Sequence, residues 1–147
     1  MFIYCRMKTG RYNVGVGLLV MAGFMAYGFL LIYLRDFAPD KEAWVASYSV
    51  GKHFEARLAH VHGALFSLLN VALGFVLAWL GTASDRARTA AAALGIAGLL
   101  MPLGILGEVY LGLSPIFVLL GAVAMTSSVA LSGWLALQHF GNRGGAS

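Results

Sequence analysis

The chain has 147 residues, of which 60% are hydrophobic and only 11% are charged. Soluble domains are usually about 45–50% apolar with about 25% charged residues, so this composition excludes a cytosolic globular enzyme, a disordered tail and an ordinary nucleic-acid binder. The formal net charge of +4 belongs to basic residues spread over the loops, which indicates topology signalling and no nucleic-acid partner.

Four apolar runs follow one another along the chain. Each is close to the roughly 20 residues that a helix needs to cross a bilayer, and backbone groups in lipid must be satisfied within the segment. The sequence therefore predicts an all-α integral membrane fold, a single domain (1–147) made of a four-transmembrane-helix bundle. The helices are expected at residues 14–34, 58–80, 89–113 and 116–137.

The basic residues predict the orientation. If all four runs cross, one side carries more Lys and Arg than the other, which favours the cytoplasm for that side and for both termini. We expect a bacterial inner-membrane protein, whose first run is retained because no small-residue cleavage site follows it. The richer side carries Arg6, Lys8, Arg11, Arg86, Arg88 and Arg143, and the poorer side carries Arg35, Lys41, Lys52 and Arg57.

The connections differ in length. The first, residues 35–57, mixes charged residues with Trp44 and Tyr48, which predicts a short helix at the outer interface. The third and fourth runs are separated by little more than Ser114 and Pro115, so we expect a tight antiparallel hairpin. Pro102 lacks the N–H for a helical hydrogen bond and predicts a kink in the third run.

Two histidines open the second run, where an ionisable group at membrane depth marks a functional site by default. At about 100° per residue, His60 and His62 point about 200° apart and cannot chelate one metal together. His60 lies in line with small residues, Ala64 and Ser67, that can admit a flat cofactor or a closely packed helix. We expect His60, Ala64 and Ser67 to bind a cofactor, with His60 as the metal ligand and His62 as the second choice. His53 lies two turns earlier on the face of His60, if the helix extends that far.

The third run supplies the other polar candidates. Glu108 is the only acidic residue inside any run, and with Tyr110 it is expected at the membrane level of His60. Glu108 is either an acid–base group or partner of a ligated histidine, or it pairs with Arg57 or stays solvated. Asn70 in the second run either bridges helices or joins the site. The expected catalytic residues are thus Glu108, Tyr110 and Asn70.

Several kinds of site are missing from the sequence. It has no CxxC, HExxH, Walker or Gly-x-Ser-x-Gly motif, and its lone Cys5 allows no internal disulfide. Carboxylates are too few for a di-iron bundle. This inventory suits a cofactor that needs one axial histidine from the protein, such as haem b.

The second run and the loop after it also carry a family resemblance. The stretch opens with Arg-Leu-Ala-His60, keeps a gapless register to Leu80-Gly81 and continues with Ala87-Arg88 in the loop. In these features it resembles the styrene oxide isomerases, small bacterial four-helix membrane proteins that carry haem b. The resemblance implies that His60 is the axial haem ligand.

The chain departs from the family pattern at other polar positions. The family has an Asn about two turns into this helix, where this chain has Phe66 and then Asn70 one turn later. An Asp and a Tyr of the family's third helix have no counterpart in register, although Glu108 and Tyr110 lie nearby.

The resemblance implies an epoxide isomerase in which ferric haem acts as a Lewis acid and an aldehyde results. An apolar small-molecule substrate would arrive through the lipid bilayer. The alternative is a non-enzymatic subunit, an accessory or electron-transfer protein of a larger membrane complex, or a homo-oligomer that shares a haem. Electron transfer normally uses two axial ligands, and His139 is expected on the opposite side of the membrane from His60.

Overall fold

A computed structural model describes residues 10–80 and 84–144, without the side chains of 142–144. These residues form helices and no strand, which confirms the predicted all-α class. Cys5, the basic residues Arg6 and Lys8, Gly81 and the side chain of Arg143 lie outside the described part. In chain order the helices are α1 (Arg11–Asp36), α2 (Lys41–Ala46), α3 (Gly51–Trp79), α4 (Asp85–Gly98), α5 (Leu100–Leu111) and α6 (Ile116–Gly144).

Within the described residues, four helical stretches are long and apolar enough to cross a membrane: α1, α3, α4 together with α5, and α6. Large apolar side chains on them face outward, with Leu19, Phe29 and Leu137 each more than 70% exposed. An outward apolar surface is what lipid contact requires and what a soluble domain avoids. The chain is an integral membrane protein with a helical bundle.

The helix bounds differ most from the expected ones at the start of α3 and at the end of α6, which continues to Gly144, beyond the expected residue 137. α3 begins at Gly51, whereas hydropathy alone places its start at residue 58. Its first two turns carry charged side chains, Lys52, Glu55 and Arg57, which a hydropathy pattern assigns to a loop. The extension places His53 and Arg57 on the same helix as His60.

The third span is broken, as Pro102 predicts. α4 ends at Gly98 and α5 begins at Leu100, because Pro102 has no N–H to donate to the carbonyl of Gly98. The other local expectations also hold: α2 is a short helix inside the first loop, and α5 turns into α6 through Gly112 in the left-handed region (φ 66°).

Small residues bring the helices close together. α1 runs antiparallel to α3, and a Cβ on Gly17 would lie 2.8 Å from the carbonyl oxygen of Ser67. α6 packs against α4 and α5, where a Cβ on Gly98 would lie 2.8 Å from Met125 Cβ. The Ser128 hydroxyl donates to the carbonyl of Ala91 at 2.7 Å. Van der Waals packing of this kind is the main attraction between helices in lipid.

Candidate functional site

A pocket of about 450 Å³ lies between α1 and the first turns of α3. Its volume falls within the range of about 300–1,000 Å³ that small-molecule sites have. The wall from α1 is apolar apart from Arg35, whereas α3 contributes His53, Arg57 and His60. An apolar wall with a few polar groups on one side is typical of a ligand site.

His60 is half-buried and is fixed from α1. Its Nδ1 lies 2.9 Å from the carbonyl oxygen of Phe24. A carbonyl only accepts, so Nδ1 carries a proton, and Nε2 is the nitrogen that has the lone pair whenever the ring is uncharged. Metal-ligating histidines are commonly oriented in this way, with one nitrogen donating to a backbone carbonyl and the other free to coordinate.

Gly28 makes room for this imidazole. A Cβ at Gly28 would lie 2.8 Å from Cε1 of His60 and 3.3 Å from Nε2. Real Cβ atoms do not come within 3 Å of such a ring, so any larger residue would displace the imidazole. The ring therefore depends on the bare backbone of α1.

His53 forms the outer end of the pocket within an aromatic cluster. Its Nδ1 donates to the carbonyl of Trp44 at 2.6 Å, and its ring stacks on Trp44 with centroids 4.4 Å apart. Tyr48 meets the same ring edge-on at 5.2 Å. The segment that contains α2 is thus held against the start of α3, and His53 shares the face of His60 as the heptad spacing predicts.

His62 does not reach the pocket. Its Nδ1 donates to the carbonyl of Leu58 in its own helix at 2.9 Å, and its ring packs edge-on against Phe66. The helical wheel correctly separates His60 from His62. A ligand role for either histidine stays a prediction.

The small stripe beyond His60 is covered by α1. Ser67 is fully buried, and Gly17 of α1 lies against its carbonyl. The ring of Phe24 covers Gly63, and Ala64 is half-buried one turn from His60. A stripe of small residues can admit either a flat cofactor or a closely packed helix, and in this part of α3 it is occupied by α1. The pocket therefore lies on the outer side of His60, away from Ser67.

Glu108 and Tyr110 lie at the expected level but face different ways. The level is fixed by Ala59, which packs with Val109 in one buried cluster. The Tyr110 hydroxyl lies 2.9 Å from the Tyr27 hydroxyl, whereas Glu108 is exposed on the surface of α5. Neither Glu108 nor Tyr110 lines the pocket. Tyr110 is connected to the surroundings of His60 through Tyr27, which itself lines a separate cavity between α1 and α5.

Asn70 links three helices. It is fully buried, its amide nitrogen donates to the carbonyl of Gly95 at 2.8 Å, and its amide oxygen accepts from Asn13 at 3.0 Å. Asn13 in turn donates to the carbonyl of Ala92. Asn70 is ten residues from His60, about 15 Å along the helix. Asn70 therefore bridges helices, which is one of the two alternatives expected for it. Its side chain does not line the pocket of His60.

Residue patterns alone do not reveal what α1 contributes: the Phe24 carbonyl, the bare backbone of Gly28, and Tyr27, whose ring centroid lies 6.4 Å from that of His60. A search for ionisable residues cannot find a backbone carbonyl or a glycine. The one available signal is that Gly28 and Phe24 are four residues apart and so share a face of the first run.

A cofactor held by one histidine fits these residues. Within 10–80 and 84–144, no group of three or more His, Cys, Asp and Glu side chains could hold a metal ion by itself. At His60, in contrast, an oriented imidazole, a glycine cradle and an apolar wall come together. This is the donor set that haem b with a single protein ligand needs.

Comparisons with protein-family models, with curated protein sequences and with solved structures return no match to this chain.

Proposed function

We propose that the protein is a small integral-membrane haem-b protein whose axial ligand is His60, in the pocket between α1 and α3. The observation that supports the proposal is the hydrogen bond from His60 Nδ1 to the Phe24 carbonyl, which leaves Nε2 as the ring nitrogen that could coordinate a metal. The proposed location is the bacterial inner membrane with both termini in the cytoplasm, following the excess of basic residues on that side.

We propose epoxide isomerisation as the reaction. When bound, ferric haem supplies a Lewis acid, the chemistry that opening an epoxide to an aldehyde requires. The chain's own residues would hold the iron through His60 and bind an apolar substrate against Phe29 and Ile32. The Tyr27 and Tyr110 hydroxyls are hydrogen-bonded to each other, and the Tyr27 ring lies next to His60 although neither tyrosine lines the pocket. In this proposal the pair would hold a proton beside the site.

The positions of Glu108 and Asn70 favour other roles. The Glu108 carboxylate is exposed, and the Asn70 amide is engaged in bonds between helices. We therefore place the catalytic hypothesis on Tyr110 with Tyr27 rather than on these two residues.

A second candidate is an accessory subunit of a larger membrane complex. The observation that favours it is the outward face of α1, the least buried of the four long helices, which carries large apolar side chains such as Leu19 and Phe29. Such a face suits a neighbouring subunit as well as lipid. In this alternative the histidines are structural, so the purified chain binds no haem.

The test is to purify the protein in mild detergent from cells supplied with haem and to record its absorption spectrum. The proposal predicts a Soret band in proportion to protein, and conversion of an aryl epoxide to an aldehyde by the loaded protein. A preparation without a Soret band contradicts haem binding and favours the accessory subunit. A Soret band with no turnover of aryl or alkyl epoxides contradicts the isomerase and leaves a haem carrier.

A further inference from the structure

The outer rim of the pocket carries two guanidinium groups. Arg57 precedes His60 by about one helical turn, nearer the start of α3, and Arg35 lies at the outer end of α1. Among the described residues that line this pocket, none bears a carboxylate. The rim is therefore cationic, whereas the inner wall beside His60 is apolar.

The two arginines differ in what already binds them. Arg35 donates its Nε and one Nη to the carboxylate of Asp36 at 2.9 and 2.7 Å, so its charge is compensated. Arg57 has no such carboxylate among the described residues. Its guanidinium lies 3.7 Å from the centre of the Tyr48 ring, and one Nη donates to the Tyr48 carbonyl at 3.4 Å. Arg57 thus brings an uncompensated charge and further N–H donors to the pocket.

The Tyr48 ring is a fixed platform for this guanidinium. Tyr48 contacts His53 edge-on, and His53 is stacked on Trp44 and bonded to its carbonyl. An arginine stacked on a ring keeps its planar fork of donors available at the edge, where a carboxylate can be bound by two parallel hydrogen bonds. The platform holds the fork at one place on the rim.

We propose that Arg57 is an anion-binding residue that takes a carboxylate of the porphyrin held by His60. The inference rests on the proposed haem function and deepens it. Haem b is a large apolar ring with two carboxylates on one edge. The pocket has the same polarity, because Arg57 lies three residues from His60, about 4.5 Å further toward the outer end of α3. If the porphyrin ring is buried against the apolar wall beside His60, one of its carboxylates reaches the guanidinium of Arg57, which compensates its charge.

The test compares ferric haem b with its dimethyl ester, which has the same iron and ring but no carboxylate charge. Each is titrated into the detergent-purified protein and followed by the Soret band. The wild type is expected to bind the diacid at least about tenfold more tightly, which is what one charge-assisted hydrogen bond supplies. Arg57→Gln is expected to bind both forms with the affinity that the wild type has for the ester. Lys52→Gln, which removes an exposed charge from the same helix, keeps the preference.

The outcomes separate this inference from the proposed function. Equal binding of diacid and ester by the wild type, or a preference that persists in Arg57→Gln, overturns the carboxylate role and leaves haem binding in place. A wild type that binds neither form contradicts the haem proposal itself. Binding of the ester by Arg57→Gln also shows that the variant folds.

Tyr48 is a positioning residue in this account, and it has its own test. Tyr48→Phe keeps the ring and is expected to keep the full preference for the diacid. Tyr48→Leu removes the π face, so the preference is expected to fall several-fold while the affinity for the ester stays unchanged. A purely structural role would lower the affinities for diacid and ester together and would contradict the positioning role.

Discussion

The imidazole of His60 lies against the backbone of α1 because residue 28 is a glycine. The Phe24 carbonyl, one turn away on the same face of α1, fixes which ring nitrogen carries the proton. These contacts define one ring orientation, and a coordinating histidine loses affinity when such an orienting partner is removed, by about 10–100-fold.

Gly28→Ala is expected to displace this ring. A Cβ at 2.8 Å from Cε1 forces the imidazole to rotate and to give up its bond to Phe24, and the fold survives because only a side chain has to move. We expect haem affinity to fall about tenfold or more, measured by Soret titration. Gly15→Ala is the matched control, since the same change on the same helix meets nothing within 4 Å. Equal affinities for the two variants would contradict the role of the glycine cradle.

Asn70 is expected to matter for stability and not for ligand binding. Asn70→Ala leaves the Asn13 amide and the Gly95 carbonyl without their buried partner, which should cost about 1–2 kcal/mol of unfolding free energy in mixed micelles. Thr126→Ala serves as the control, because that exposed hydroxyl donates only within its own helix. Haem affinity of folded Asn70→Ala should equal that of the wild type. A specific loss of affinity with unchanged stability would return Asn70 to the site.

Among the helices, α3 shows that a hydropathy pattern can underestimate the length of a helix and so miss part of a site. The apolar run predicts the part of α3 inside the bilayer, but the helix continues outward through polar residues to Gly51. That extension aligns His53, Arg57 and His60 along one wall of the pocket. Spacings of three and seven residues predict the shared face once the helix is known to extend, whereas composition does not predict the extension.

The crossing of α5 and α6 provides a prediction at the same scale. A Cβ on Gly121 would run into the backbone of Met101, and backbone cannot rotate away as a side chain can. Gly121→Ala is therefore expected to lower the unfolding free energy by about 1–3 kcal/mol. Gly133→Ala on the same helix meets nothing within 4 Å, so it should leave the protein at least as stable as the wild type, because Ala favours a helix interior over Gly. Indistinguishable unfolding curves would show that the two helices are not packed this closely.

Across the whole molecule, the sequence predicts what depends on one helix at a time. Four apolar helices, the break before Pro102, the hairpin and the separation of His60 from His62 all follow from hydropathy, hydrogen-bonding capacity and helical phase. The sequence does not predict which face α1 turns toward α3. The roles of the Phe24 carbonyl and Gly28 depend on that packing, and the exposure of Glu108 depends on how α5 packs against α3 and α6. No local pattern encodes either.

The proposed topology gives a prediction for the whole chain. With four crossings and both termini cytoplasmic, the loop at Ser84 faces the cytoplasm and the α5–α6 turn at Ser114 faces outward. In a Cys5→Ser background, Ser114→Cys should react with an impermeant maleimide in intact cells, and Ser84→Cys should react only in inverted vesicles. The reversed labelling pattern would contradict the orientation, and labelling of both sites from one side would contradict the crossing of α4 and α5.

The central claim is that His60, and not its neighbour His62, holds a haem. The most direct measurement is a Soret titration of ferric haem b into wild type, His60→Ala and His62→Ala, with folding of each checked by circular dichroism. We expect wild type and His62→Ala to bind haem with the same affinity. We expect His60→Ala to lose the ligated spectrum and added imidazole to restore it. A ligated spectrum that survives in His60→Ala and disappears in His62→Ala would contradict it.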